Sequence, residues 1–356
     1  MAKAKTLIKG NYAIAEAAIR AGCTFFAGYP ITPQSEIPEY MSSRMPEIGG
    51  VFVQTESEIA GISMIYGAAA CGRRAMTSSS GPGFSLMQEG ISYMASAQVP
   101  CVIVDVTRYG CGLGDINPAQ GDYLQLAKNG GHGDYRCVVL TPGSLQECVD
   151  FMPLAFEIAE KYRNPVIVAP DGSIGQMVES VDFPDDITKH DIDKYDWTIH
   201  HTRGEKHKTF CPDFYYDITL DESVELVKAK IDAMEKNEAR AEEFMTEDAE
   251  LVLVSYGTTS RIVKEAVTEA RKQGIKLGLI RPKTIWPFPT FAFKNCSPKG
   301  FLAVEQCVMP QLAEDVALAA RKIAPTYSYT TGAGYPRVSN IIDIAEKALA
   351  GELKEV

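Results

Sequence analysis

None of the nine cysteines forms a Cys-x-x-Cys pair, which excludes the zinc-ribbon and ferredoxin-type ligand sets that need this spacing. Any redox cluster is therefore expected on another chain. Histidine is scarce: five are spread over 356 residues with no His-Glu-x-x-His, so no histidine metal cluster is expected. Without a Gly-x-x-x-x-Gly-Lys-Ser/Thr segment there is no P-loop. Without a Gly-x-Ser-x-Gly elbow there is no serine nucleophile of that type. Positive charge is also short, with 35 Lys and Arg against 46 Asp and Glu and a formal charge of −11. A nucleic-acid binder would show a basic face instead. No apolar run has the length of a membrane helix, and Met1-Ala2-Lys3-Ala4-Lys5-Thr6 lacks the apolar stretch of a secretion signal. A cytoplasmic location is the default.

What is present is ordinary globular material. Hydrophobic residues make up 46% and charged residues 23%, and the length suits two domains. Cysteines such as Cys101 lie in apolar runs and read as small core residues. The pattern predicts a helix over 10–21, with Asn11 as a candidate cap and Gly22 as its stop. A strand Cys23–Gly28 follows, ending in Tyr29-Pro30-Ile31-Thr32-Pro33, which two prolines hold out of helical geometry. Ser35 is placed to cap the next helix. Further strands are read at Val51–Val53, Arg74–Thr77, Cys101–Val106, Val138–Leu140 and Pro165–Ala169. Helices between them include one with Phe84, Met87, Ile91 and Met94 on a single face, and one opened by a capping box, Ser144 with Glu147. Residues after the Cys101 strand read as a long polar loop.

Residues 182–217 read as an ordered linker and 221–245 as a charge-rich helix with a solvated face. A smaller second unit has strands at Leu251–Tyr256, Lys276–Ile280 and Phe301–Val304, with helices near 259–273 and 311–323. The fold class is α/β: two domains with mostly parallel sheets flanked by helices. In such sheets ligands bind beyond the carboxyl ends of the strands, where Thr32, Glu58, Ser78 to Gly83 and Arg108 are all expected.

Each of these residues has two readings. Glu58, in the first turn of a largely apolar helix, either completes a capping box with Thr55 or is a carboxylate aimed at a bound heterocycle, since burying it otherwise is costly. Gly67, nine residues on, would let a neighbouring backbone come close. Ser78-Ser79-Ser80-Gly81-Pro82-Gly83 is either a tight turn or a loop offering backbone N–H groups to a polar ligand. Arg108 either ties down its loop or grips a carboxylate. Thr32 is a turn residue or a hydroxyl held toward a ligand.

Several motifs together resemble one family. They are Gly28-Tyr29-Pro30-Ile31-Thr32-Pro33-Gln34-Ser35-Glu36-Ile37-Pro38-Glu39-Tyr40, Glu56-Ser57-Glu58, Met76 to Gly83, Gly130-Gly131-His132-Gly133-Asp134-Tyr135 and Ile285-Trp286-Pro287-Phe288-Pro289. The chain resembles, over nearly its whole length, the α-type subunit of 2-oxoacid:ferredoxin oxidoreductases. Within that family it is most like the 2-oxoisovalerate (branched-chain) type, with the 2-oxoglutarate type second. The resemblance implies a thiamine pyrimidine-binding domain over 1–181, a linker and amphipathic helix over 182–248, and a transketolase C-terminal-like domain over 249–356.

It also implies roles. Glu58 matches the glutamate on N1′ of the thiamine aminopyrimidine, Gly67 keeps the family spacing, and Thr32 and Arg108 match the residues that meet the substrate and its carboxylate. Tyr29, Pro30, Ile31, Ser79, Ser80 and Gly81 fall on cofactor-binding segments. Ile59, Ile62 and nearby aromatics are expected to make the Glu58 site apolar. The Gly-Asp-Gly segment that grips Mg²⁺-diphosphate is missing; Pro170-Asp171-Gly172-Ser173 lacks the first glycine. The resemblance therefore implies a shared thiamine diphosphate. Its diphosphate and Mg²⁺ would lie on a β-type subunit, iron–sulfur clusters on γ-type and ferredoxin-like subunits, and ferredoxin and coenzyme A would be reactants. The implied reaction is oxidative decarboxylation of a 2-oxoacid, best 2-oxoisovalerate, to acyl-CoA. Alternatives are a 2-oxoglutarate- or pyruvate-specific member, a non-catalytic scaffold, or a stand-alone coenzyme A or nucleotide binder, the last disfavoured by the missing phosphate motifs. Glu56, on another face, is the natural control for Glu58.

Overall fold

The computed structural model describes residues 5–192, 195–199 and 218–356. Cys211 and most of the stretch read as the later part of the linker lie outside them. Two sheets organise the chain. The larger has seven strands in the order Thr284–Trp286, Val138–Leu140, Pro165–Val168, Cys101–Asp105, Ala75–Ser79, Phe25–Gly28, Val51–Gln54. All its pairings are parallel except that of Thr284–Trp286 with Val138–Leu140. The second has five, in the order Ala241–Phe244, Leu277–Pro282, Leu251–Val254, Gly300–Glu305, Thr326–Thr330, with only Ala241–Phe244 antiparallel.

The central strands are continuous apolar runs because helices cover both faces of each sheet. Cys101, Val102, Ile103 and Val104 are fully enclosed, as are Val252, Leu253 and Val254. The helix Pro82–Ser96 buries Phe84, Met87, Ile91 and Met94, the face its periodicity requires. The alternation of strand and helix in the sequence thus corresponds to the observed fold class.

Several local expectations are corrected. The first helix spans Gly10–Arg20, and Asn11 lies inside it; its amide donates to the Pro33 carbonyl at 2.6 Å and to Glu36 at 2.8 Å. Ser35 makes no side-chain cap on the helix Glu36–Glu47. The charge-rich helix ends at Glu238, and Ala241–Phe244 is an edge strand of the second sheet. Periodicity missed this break because charged residues, Arg240, Glu242 and Glu243, continue through it. The polar loop after Cys101–Asp105 contains a short hairpin, Arg108–Tyr109 against Asp115–Pro118. A strand Thr326–Thr330 and a helix Val338–Leu349 close the second unit.

Ser144 caps the helix Leu145–Tyr162 by accepting from the Glu147 N–H at 3.2 Å, but Glu147 does not reach back to complete a box. Its carboxylate takes both Arg281 Nη atoms, at 2.8 and 2.6 Å, and the Gly143 N–H at 2.8 Å. The strand Leu277–Pro282 of the second sheet is thereby pinned to the first unit.

Candidate functional site

The carboxyl ends of Phe25–Gly28, Ala75–Ser79 and Cys101–Asp105 lie side by side in the first sheet, and they deliver Tyr29 to Thr32, Ser80 to Gly83 and Arg108 to one rim. Glu58 joins them as the first residue of the helix Glu58–Ala70. The capping-box reading of Glu58 fails. The cap is Ser57, whose hydroxyl accepts from the Ala60 N–H at 3.2 Å, while Thr55 Oγ1 donates to the Ser57 carbonyl at 2.8 Å. The Glu58 residue is only 6% exposed, and among the described residues its carboxylate has no hydrogen-bond or ion-pair partner.

Gly83 explains how the carboxylate fits. A Cβ at residue 83 would stand 2.2 Å from Ser79 Oγ and 2.3 Å from Glu58 Oε1, so the two side chains close over a bare Cα. Gly83→Ala must push both of them aside. The overpacking is expected to cost about 1–3 kcal/mol of stability, measured as a lower midpoint in urea; an unchanged midpoint would mean that the Glu58 side chain swings away freely. Gly81, at φ +40°, turns the chain from strand into helix through a conformation open to glycine.

Buried polar atoms without partners gather along this rim. Ser79 Oγ, Ser80 Oγ, both Asp105 carboxylate oxygens, Asp122 Oδ2 and Arg108 Nε have none among the described residues. Folded proteins leave few such atoms, and each calls for a ligand, water or proton. Arg108 is 7% exposed. It donates through Nη1 to the Thr32 carbonyl and through Nη2 to the Leu113 carbonyl, both at 2.6 Å. The structure thus brings Thr32 and Arg108 together, with Tyr29 and Pro30 exposed beside them.

Other expected site residues behave differently. Nothing lies within 4 Å of a Cβ built at Gly67, which is exposed, so within this chain no backbone approaches it. Ile62 is buried, but Ile59 is 53% exposed and does not shield Glu58. Ser78 turns inward and donates to Gln34 Oε1 at 2.6 Å. Asp171, in the segment nearest to a diphosphate motif, is fully engaged. It accepts from the N–H groups of Ser173 and Ile174 at 3.1 Å each, and from Thr258 N and Oγ1 at 2.8 and 2.7 Å. Asp105 and Asp122 were missed, although a carboxylate closing the apolar run Cys101-Val102-Ile103-Val104 was a visible signal.

Comparison with known proteins gives consistent matches. Residues 16–249 match the family described as pyruvate flavodoxin/ferredoxin oxidoreductase, thiamine diphosphate-binding, and residues 249–340 match pyruvate:ferredoxin oxidoreductase core domain II. A ketoisovalerate oxidoreductase subunit VorB of Methanothermobacter marburgensis is 49% identical over 320 residues, covering 89% of this chain and 90% of the relative. A 2-oxoglutarate synthase subunit KorA of Methanocaldococcus jannaschii is 39% identical over 324 residues, covering 84% and 87%. Among solved structures, 2-oxoglutarate:ferredoxin oxidoreductase from Magnetococcus marinus, with 2-oxoglutarate, coenzyme A and succinyl-CoA bound, superposes with a TM-score of 0.85 at 26% identity. That match covers 98% of this chain and spans 66% of the other.

Proposed function

This chain belongs to the pyruvate flavodoxin/ferredoxin oxidoreductase family, and from that premise we propose that it furnishes the pyrimidine half of a shared thiamine diphosphate site, with Glu58 on N1′. It is an α-type subunit of a 2-oxoacid:ferredoxin oxidoreductase of the ketoisovalerate kind. The observation that carries the site assignment is the Glu58 carboxylate itself: in a residue 6% exposed, without a partner among the described residues, and beside the Ser79 hydroxyl, which also lacks one. A heterocycle with ring nitrogens fits such a donor set, because it supplies the hydrogen bonds the protein leaves unmade.

Thiamine diphosphate, when bound, supplies an electron sink for the carbon that loses CO₂. The chain's own residues do the positioning. Glu58 holds a proton against N1′ from the first turn of its helix. Arg108 offers a guanidinium that is fixed by two carbonyls and, among the described residues, forms no ion pair, which suits a substrate carboxylate. Thr32, tied to Arg108 through its carbonyl, presents its hydroxyl at the same rim. Tyr29 to Ile31 and Ser79 to Gly81 form the walls.

Diphosphate, Mg²⁺ and iron–sulfur clusters belong on partner subunits, the first two on a β-type chain. This is supported by the full engagement of Asp171, which leaves the nearest candidate carboxylate unavailable to a metal. Electrons pass to ferredoxin and the acyl group to coenzyme A. The preferred substrate is a branched-chain 2-oxoacid, supported by 49% identity to a ketoisovalerate subunit against 39% to a 2-oxoglutarate one.

The test is in two stages. Titrating thiamine diphosphate and Mg²⁺ into the isolated chain is expected to give no tight, Mg²⁺-dependent binding; such binding would overturn the shared site. The complex assembled with its partners is then assayed on a panel of 2-oxoacids with coenzyme A and viologen. The highest kcat/KM is expected for 2-oxoisovalerate.

A further inference from the structure

The segment carrying Asp122 belongs by sequence to the first unit but is held mainly by the second. Gln120 donates its N–H to the Gln306 carbonyl at 2.7 Å and its side-chain amide to the Tyr256 carbonyl at 2.9 Å. Its Oε1 accepts from the Gln306 N–H at 2.9 Å and from Thr259 Oγ1 at 3.3 Å. Gln311 clasps the next turn, donating to the Gly121 carbonyl at 3.0 Å and accepting from the Leu124 N–H at 3.1 Å. Tyr123 donates to Asp315 Oδ2 at 2.7 Å, and Lys128 pairs with the same carboxylate. Asp122 is thus bracketed on both sides by bonds to the second unit.

Its side chain is not spent on local structure. Asp122 stands at the cap position of the short helix Tyr123–Ala127 but makes no side-chain cap. Instead its Oδ2 turns toward the rim. A Cβ at Gly81 would be 3.9 Å from that oxygen and 3.9 Å from both Cγ and Nε of Arg108. The carboxylate and the guanidinium therefore face one point without forming an ion pair. Asp105, fully buried at the end of the neighbouring strand, completes the cluster; among the described residues neither oxygen has a hydrogen-bond partner, though the Gly81 N–H lies near enough to favour its charge.

We propose that Asp122 is a positioning residue for Arg108, that its charge sets how tightly the guanidinium holds a substrate carboxylate, and that the second unit keeps it in place. This deepens the functional reading above and rests on Arg108 being the carboxylate grip. The electrostatics have a definite direction. Burial pushes the Asp105 carboxyl well above the usual carboxylate range, and the neighbouring Asp122 pushes it the same way, while the Gly81 N–H and Arg108 pull it down. Burial raises Asp122 to about 6, with Arg108 pulling the other way. Across the unit boundary the facing group is the Tyr256 hydroxyl, which burial keeps neutral. With Asp122 neutral, Arg108 acts on an incoming anion unopposed; with Asp122 ionised, part of that attraction is cancelled.

In the assembled complex, KM for 2-oxoisovalerate is measured from about pH 5 to about pH 8. KM is expected to rise about three- to tenfold as Asp122 ionises, the scale of one partly screened charge at this range. Asp122→Asn is expected to abolish the inflection and hold KM at its low-pH value. A purely structural role for Asp122 would leave the inflection in place. Gln120→Ala, which frees the segment, is expected to move the inflection down toward the ordinary carboxylate range.

A flat wild-type profile, or an inflection that survives Asp122→Asn, overturns the proposal, and the wild-type profile needs no variant to fold. Arg108→Lys separates the two levels. If it leaves KM unchanged, the grip itself is wrong and this proposal falls with it. If it raises KM while Asp122→Asn keeps the inflection, only this proposal falls.

Discussion

Glu58→Gln in the assembled complex is expected to lower kcat by about 10²- to 10⁴-fold, the range set by loss of a positioned proton-holding group, while thermal stability stays level or rises. The two halves of this result come from one fact. A carboxylate in a residue that is 6% exposed, with no partner among the described residues, is costly to bury, so a neutral amide of the same shape relieves the fold as it disables the site. Stability and activity then move apart, as at other sites shaped for function. A capping role predicts the reverse, a stability loss of about 0.5–2 kcal/mol with modest change in turnover. A scaffold subunit would keep near-normal turnover. The control is Glu56→Gln two residues earlier, at an exposed position, expected within about 0.5 kcal/mol of wild-type stability and near wild-type kcat. Melting curves and turnover on the same preparations decide between these outcomes.

Glu147→Ala is expected to cost about 3 kcal/mol of stability, the lower end for breaking a buried ion pair from one side. Removing Glu147 strands Arg281, which is 6% exposed, but Glu242 still accepts from its Nε at 2.9 Å. Replacing both partners, as in Glu147→Leu with Arg281→Met, should recover most of the loss, because packed apolar groups often match a buried pair. A double variant as unstable as the single one would show that the network does more than compensate its own charges. The pH dependence has a clear sign. Although burial opposes its charge, the bonds from Arg281, Gly143 and Lys283 hold the Glu147 carboxyl down at about 2. Its contribution is therefore fully present above the ordinary glutamate value of about 4.3 and is lost as pH falls through about 2. Acid unfolding followed by circular dichroism in wild type and Glu147→Ala should converge at the low end.

Much of the fold could be read in advance because parallel sheets write themselves as apolar runs. Cys101 to Val104, Val138 to Leu140 and Leu251 to Val254 carry no ambiguity once helices alternate with them. Local chemistry was harder to read. Thr55 and Glu58 have capping-box spacing, yet Ser57 takes the cap, because a hydroxyl one residue before the helix reaches the Ala60 N–H and Thr55 turns to the Ser57 carbonyl. Asn11 looked like a cap and serves a partner 22 residues away. Glu147 had the spacing for a box and was claimed by an arginine 134 residues on. For Asn11 and Glu147 a distant group outcompeted the local one, and spacing along a chain carries no record of such competition. Thr32, Glu58, Ser80 and Arg108 could be placed at one rim in advance because each comes after a strand of the first sheet. The Asp105–Asp122 cluster could not, since its meaning depends on how the 119–128 segment is held from across the molecule.

The antiparallel edge strand Thr284–Trp286 has a consequence for how the polypeptide comes off the ribosome. The Val138–Leu140 strand is an edge until that late segment arrives. Exposed strand edges invite pairing with other chains, and synthesis proceeds from the N-terminus at about 5–20 residues per second. For several seconds the nascent first sheet therefore carries an open hydrogen-bonding rim that only its own unfinished tail can close. Translation stalling between residues 141 and 284 exposes that rim for longer, and the arrival of Thr284–Trp286 is what ends the exposure.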